Sequence, residues 1–254
     1  MINKLIDKLI LSSKTFNFKK LIKVRKEKII ININSSIELW RSRTYNSKEP
    51  ETLNWIDRFK KKNVFFDIGA NIGLYSLYAA KKKCDVYAFE PASNNYSSLI
   101  KNIESNKLNI HSYGIGLSNK EKLSSINLVS TIQGDSQHNL NRKQKIYSRD
   151  YKLKQGLYIT TIDNLVYSHK IPTPHHIKID VDGHEKEIIM GAKRTLKSKK
   201  IKSLMIEINY KNKSEFHFIN SIMKKSGFKL KEKSKRVYSN KFIKAQNFYF
   251  EKNF

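Results

Sequence analysis

The chain has 254 residues, 39% of them hydrophobic, and 50 Lys and Arg against 22 Asp and Glu give a formal net charge of +28. That is enough apolar material for one sizeable globular domain and too much for wholesale disorder, while four prolines and nine glycines exclude collagen-like and linker-dominated chains. No apolar run approaches the roughly 20 residues that span a bilayer as a helix. The single cysteine, Cys84, can form neither an internal disulfide nor a multi-thiolate metal site, which points to a reducing, cytoplasmic compartment.

The charge has two readings. Lys far outnumbers Arg, and Lys, Asn and Ile dominate throughout, as an AT-rich genome produces without selection for a ligand. A phosphate-reading surface recruits Arg for its bidentate fork. The basic excess is heaviest over residues 1–62 and 197–254. Solvated surface lysines are therefore the favoured reading, and an anionic partner such as nucleic acid, phospholipid or an acidic glycan is its competitor.

In chain order, Ile2, Leu5, Ile6, Leu9 and Ile10 recur at helical spacing with Lys4, Asp7 and Lys8 between them. This predicts an amphipathic helix, docked on the protein's own core or lying on an anionic membrane surface through residues 1–26. The interrupting charges deny the segment the unbroken apolar centre of a secretory signal. Residues 29–40 alternate enough to predict strand, and Pro50 opens a helix over EPETLNWIDRF. We take 1–49 as a lead-in and 50–254 as the main domain.

From residue 63 strands and helices alternate, which predicts an α/β fold with a mostly parallel sheet and helices on both faces. NVFFDIG, DVYAFEP, NIHSYGIG, HHIKIDVDG and SLMIEINY read as five strands. Helices are expected at Ile72–Lys83, around Tyr96–Ile103 with Asn106 as the stop, at about Glu185–Leu196, and at Ser214–Lys225 before Gly227. FKLKEK and NFYFEK read as a closing antiparallel pair. Residues 119–162 lack helical periodicity, hold β-like pieces, and are expected to form an inserted hairpin or lid.

Glycine placement locates the chemistry. Gly69, Gly73, Gly114, Gly116 and Gly183 stand at or just after the carboxyl ends of predicted strands, the edge where open α/β sheets bind ligands. In VFFDIGANIGLYS a strand bearing Asp67 runs into Gly69, Asn71 and Gly73 and then a helix, and Glu90 closes the next strand. This suits a nucleoside-bearing cofactor, with a carboxylate on both ribose hydroxyls. The dinucleotide fingerprint needs G-x-G-x-x-G under a pyrophosphate. An acid at Asp67 would repel that group but suits the ammonium of S-adenosylmethionine (SAM). The expected cofactor set is Asp67, Gly69, Asn71, Gly73, Glu90, Gly116 and Leu117.

At this point the sequence resembles the FkbM-type SAM-dependent methyltransferases over about residues 50–210: EPETLNWI, VFFDIGANIGLYSLYAA, VYAFEP, LSN, TTIDNL, IKIDVDGHEKEIIMGA and MIEIN occur in that family's order. The resemblance implies a class I methyltransferase fold, Rossmann-like, with seven strands of which the last is antiparallel. It also implies methyl transfer to a hydroxyl of a polysaccharide, glycolipid or secondary metabolite. One departure is that the usual glutamate of D-V-E-G-x-E is Asp182, followed after Gly183 by His184.

Asp180 closes the fourth strand where a general base would stand. Glu207 ends the fifth, with Asn209 alternating onto its face. Glu185 and His184 are the supporting catalytic candidates, although Asp182 and Glu185 are also spaced as an N-cap and N3 acid. Those acids could instead gather a magnesium-like ion; the expectation is a metal-free base. Asp163 reads as a cap after a strand, His138, His175 and His176 carry weaker cases, and Trp40 and Trp55 read as packing. Rival functions are an RNA ribose 2′-O-methyltransferase and a non-catalytic module that binds membrane or polyanion. Cytosine C5 chemistry would need a cysteine at the cofactor edge, and amino methylation of a base an N-P-P-Y-type segment; neither is present.

Overall fold

The computed structural model describes residues 18–140, 149–209, 212–235, 238–239 and 244–252. The predicted helix over the first dozen residues lies outside them. Strands β1 (Phe18–Val24) and β2 (Glu27–Ile33) form an antiparallel hairpin. The expected strand over 29–40 ends at Ile33, because Ser35 starts a helix. Its Oγ accepts the Glu38 N–H (3.0 Å), while the Glu38 carboxylate accepts the Asn34 N–H (2.5 Å). This reciprocal arrangement closes the first turn of α1 (Ser36–Lys48), and the S-x-x-E spacing that produces it is present in the sequence. Helix α2 (Pro50–Asp57) begins on its proline, whose missing N–H is no loss in a first turn.

Next come β3 (Val64–Ile68), α3 (Leu74–Lys81), β4 (Asp85–Phe89), α4 (Ser93–Asn106) and β5 (Ile110–Tyr113). The chain then leaves the main sheet. Strands β6 (Gly116–Leu117), β7 (Lys122–Leu128), β8 (Asn139–Leu140) and β9 (Leu153–Thr160) build a separate sheet in the order β6-β9-β7-β8. It has its own core of Ile126, Leu128, Leu140, Leu157 and Ile159 against Ala92. The expected insertion thus contains an antiparallel β7–β9 pair.

Beyond it lie α5 (Ile162–Tyr167), β10 (His176–Ile179), α6 (Glu185–Met190), α7 (Lys193–Leu196), β11 (Ser203–Asn209), α8 (Lys213–Lys225), β12 (Phe228–Lys233), β13 (Tyr238–Ser239) and β14 (Lys244–Lys252). The single helix expected over 185–196 is two. They meet at Gly191, where a Cβ would sit 2.0 Å from the Ser118 carbonyl oxygen. Asp163 caps the second, accepting the N–H groups of Arg194 (2.9 Å) and Thr195 (2.7 Å).

The main sheet runs β12-β14-β11-β10-β3-β4-β5, with β13 paired to β14; β14 alone opposes the direction of the other six on this path. Every residue of β3 is buried, as a parallel strand covered on both faces must be. Phe65 points into a core shared with Leu39, Trp55, Leu77 and Leu99 of α1–α4. Phe66 and Ile68 point into the opposite one, with Leu165, Ile188, Leu196 and Ile219 of α5–α8. Val24, Ile29, Ile31 and Ile33 of the hairpin belong to the first core, so the described part of the lead-in packs with the domain. Among the described residues no helix is long and apolar enough to cross a membrane.

Candidate active site at the carboxyl edge of the sheet

The loop after β3 is shaped by residues that tolerate positive φ. Gly69 (φ +81°) passes under the chain at Asp180, and a Cβ on it would lie 1.9 Å from the Asp180 carbonyl oxygen. Only glycine fits. Asn71 (φ 53°) follows, its N–H donating to Glu90 Oε2 (2.8 Å) and its Nδ2 to the Asp135 carbonyl (2.9 Å). The loop is thereby tied to the end of β4 and to the inserted sheet.

A cavity of about 570 Å³, including its open mouth, lies beside this loop, walled by Ile115, Leu117, Ile126 and Leu140, with Glu90 and His138 as polar members. Glu90 is 5% exposed and accepts the Ala92 N–H through Oε1 (2.9 Å) in addition to the Asn71 contact. Burial pushes its carboxyl up to about 7, against the opposing effect of those two amides. Burial also holds His138 down at about 4, so its imidazole is neutral near pH 7. Asp135, on the rim, is bidentate to Arg149 (2.6 and 2.7 Å), and its carbonyl accepts both Asn71 Nδ2 and Asn95 Nδ2.

A second cavity, about 1300 Å³ with its mouth, adjoins the first and shares Gly69, Asn71, Ser136, Asp180 and Asp182 with it. Its further walls include Trp40, Arg41, Tyr75, Lys178 and Glu207. Lys178 is 2% exposed, its Nζ 2.7 Å from Asp180 Oδ2 and 5.0 Å from the centre of the Tyr75 ring. Burial alone would lower its pKa. The carboxylates of Asp180, Glu49 and Asp67 outweigh that and hold the ammonium charged. Glu207 is raised well above the carboxylate range by burial first and then by Asp180, Asp182 and Glu49. Asp180 stands where the two cavities meet.

Of the residues expected from sequence, Gly69, Asn71, Glu90, Gly116 and Leu117 line the first cavity, Glu207 the second, and Asp180 both. Asp67 lies beneath them and lines neither. It is 1% exposed with Oδ2 accepting the Ser76 hydroxyl (2.5 Å), and its buried Oδ1 has no partner among the described residues. Gly73 is behind the loop, where its φ of +86° and the close approach of Leu99 demand glycine.

His184 and Glu185 are not brought to the cavities. His184 Nε2 is 2.9 Å from Ser118 Oγ, and Nδ1 is 3.7 Å from Glu187. Glu185 Oε1 accepts the N–H groups of Gly183 (3.0 Å) and Val181 (3.3 Å), so it holds the loop after β10 from behind. The capping arrangement expected of Asp182 and Glu185 is not formed. Asp182 sits at φ 56° with Oδ2 accepting the Gln137 N–H (2.6 Å), and Glu185 is itself the first residue of α6. Among the described residues no three acids or imidazoles converge as a metal site would require.

Three residues of the larger cavity, Trp40, Arg41 and Lys178, are not marked by motif spacing. Trp55 packs as expected, its indole N–H on Ser203 Oγ (2.8 Å), but Trp40 is 45% exposed and lines the larger cavity. Arg41, beside it, passed unremarked among so many cations. A lysine inside the buried run HIKI is itself a signal in the sequence, since such a charge needs partners.

The chain is 27% identical over 177 residues to the hexuronic acid methyltransferase AglP of Haloferax volcanii, a match covering 70% of this chain and 69% of that one. The FkbM methyltransferase structure from Methylobacillus flagellatus is 19% identical over 75% of this chain, with a TM-score of 0.48. This chain spans 44% of that one. The M. jannaschii tRNA m1G37 methyltransferase is 12% identical, with a TM-score of 0.50 over 93% of this chain and 55% of its own, a likeness of fold alone. Residues 67–230, more than half of the chain, match the methyltransferase FkbM domain, and the protein belongs to that family of SAM-dependent methyltransferases, with its class I fold.

Proposed function

We propose that the protein uses SAM to methylate a hydroxyl of a saccharide-bearing acceptor, with Asp180 as the general base. The observation that carries this is the position of Asp180 at the junction of the two cavities, one oxygen on Lys178 and the other without a partner among the described residues. The first cavity fits the cofactor. Glu90 offers a carboxylate to ribose hydroxyls, Ile115, Leu117, Ile126 and Leu140 offer apolar walls to a base, and the glycine at 69 lets backbone approach closely. The orphaned Oδ1 of Asp67 suits the ammonium of the methionine portion, through water.

SAM, when bound, supplies an activated methyl group with a neutral thioether as leaving group. What remains for the chain is to aim the acceptor oxygen and to take its proton. The acceptor hydroxyl donates to Asp180 Oδ1; as the oxygen bonds to the methyl carbon, its proton passes to that carboxylate. Lys178 fixes the other oxygen and so the direction of the first. The name of the Haloferax volcanii relative supports a sugar acceptor.

The test is Asp180→Asn, which keeps shape and removes basicity. Turnover of labelled SAM into the glycan fraction of a cell extract should fall about a hundredfold or more, with affinity for S-adenosylhomocysteine retained. Near-normal turnover removes Asp180 from the chemistry, and label recovered in RNA replaces the acceptor class.

A further inference from the structure

The larger cavity has one wall that the transfer chemistry does not use. Trp40 and Arg41, consecutive in α1, line it together with Asp180 and Glu207, and both precede the residues 67–230 that match the family domain. Trp40 is a large indole left 45% exposed at a cavity mouth. Arg41 is anchored by a single hydrogen bond, Nε to the Gly134 carbonyl (2.6 Å), and its two Nη groups have no partner among the described residues. The other cations of the cavity are paired: Lys178 with Asp180 at 2.7 Å and Lys48 with Glu49 at 2.9 Å. Arg41 has no carboxylate within ion-pairing distance among the described residues.

We infer that Trp40 and Arg41 form the acceptor subsite, and that the acceptor is a pyranose bearing a carboxylate. The sugar ring lies against the indole and its carboxylate meets the guanidinium fork. This rests on the methyltransferase reading above and specifies its substrate. A flat aromatic face takes the C–H face of a pyranose, while a guanidinium whose two Nη groups are free suits a planar carboxylate. The methionine portion of SAM also carries a carboxylate, but it has no ring face to cover Trp40. The acids of the same cavity leave room for an anion. Asp180 is paired with Lys178 at 2.7 Å, and burial raises the Glu207 carboxyl.

The chain contains two tryptophans, and Trp55 is 3% exposed, so Trp40 reports on this cavity by fluorescence. The full-length protein saturated with S-adenosylhomocysteine is titrated with methyl β-glucuronide and, separately, with the neutral methyl β-glucoside. Expected is a saturable change in Trp40 emission with the glucuronide, at least tenfold tighter than with the glucoside. Arg41→Met should bring the glucuronide down to the level of the glucoside, and Trp40→Phe should remove the signal and weaken binding by calorimetry. Both variants should keep wild-type affinity for S-adenosylhomocysteine. Equal binding of the two glycosides overturns the proposal. So does an Arg41→Met protein that loses S-adenosylhomocysteine while holding the glucuronide, because the guanidinium then reads the cofactor's own carboxylate. A protein that binds the glucuronide but never S-adenosylhomocysteine retires the methyltransferase reading and leaves the sugar site standing.

Discussion

The Nζ of Lys178 lies 2.7 Å from Oδ2 of Asp180, two residues further along the same strand edge, and the lysine is buried while the carboxylate is partly open. Successive side chains of a strand alternate, so residues two apart share a face. The lysine side chain therefore runs under the aspartate and fixes it from below. Glu49 and Asp67 also act on the same ammonium, and Glu49 has a second cation in Lys48 at 2.9 Å.

Lys178→Met should therefore be harmful twice. It strands carboxylates that lie in or beside a buried site, a loss of about 3 kcal/mol or more in denaturant unfolding. It also removes the group that fixes the direction of Asp180, so turnover should fall while affinity for S-adenosylhomocysteine is retained. A variant as stable as wild type, with unchanged turnover, would contradict the role given to this pair.

Glu90 predicts a pH dependence of cofactor affinity. Burial raises its carboxyl to about 7 in the ligand-free protein, so it is largely neutral at pH 6 and ionised at pH 8. Ribose hydroxyls donate to the ionised form. Affinity for S-adenosylhomocysteine should rise with pH up to about 7 and then level off, being about tenfold weaker at pH 6 than on the plateau. Calorimetry in buffers of different ionisation enthalpy should show proton release on binding at pH 6. Glu90→Gln should bind about tenfold more weakly and lose the pH dependence; a pH-dependent Glu90→Gln protein assigns it elsewhere.

Much of this site was legible in the sequence, because its backbone is specified by residues with few substitutes. Gly69 has to be glycine under the Asp180 carbonyl, and Glu90 has to be an acid at the end of a strand, so spacing alone marked both. What spacing could not show was direction. Glu185 and Asp180 are both acids of one motif, but the turn through Asp182 (φ 56°) and Gly183 (φ 96°) sends Glu185 behind the loop while Asp180 faces the cavities. Trp40 and Arg41 were hidden differently. The S-x-x-E signal at Ser35 was overrun by the β-like alternation before it, and a helix read as strand turns its cavity-facing residues the wrong way.

Glu185 provides a test of that distinction between positioning and chemistry. Burial raises its carboxyl to about 8, so near pH 7 it is mostly a neutral acid accepting two amides. Glu185→Gln keeps an accepting oxygen and should retain most turnover, whereas Glu185→Ala should lose loop order and activity together. The sign for stability follows from the raised value. The folded state holds the proton that the unfolded state releases near 4.5, so wild type loses stability as pH rises from about 4.5 to 8. Glu185→Gln lacks this term, and its stability relative to wild type should improve by on the order of 1–2 kcal/mol between pH 6 and 8. A Glu185→Gln protein without turnover would return this residue to the chemistry.

The net charge of +28 yields the last prediction, because two acceptors of different charge respond differently to salt. An acidic sugar held by one guanidinium forms a single ion pair, so raising salt from 50 to 200 mM should lower kcat/KM by only a few fold as the field of the surface lysines is screened. A nucleic acid gripped through six or more phosphates would release as many counterions and lose on the order of a thousandfold over the same range. Lysine far outnumbers arginine, and the second cavity presents Trp40 and a guanidinium without a carboxylate partner among the described residues, not a basic track. The shallow slope is therefore expected, with KM carrying most of the change and kcat little, since Lys178 is buried and lies too close to Asp180 for added salt to separate them. A steep slope accompanied by labelled RNA would mean that the surface charge, not the α1 wall, selects the acceptor.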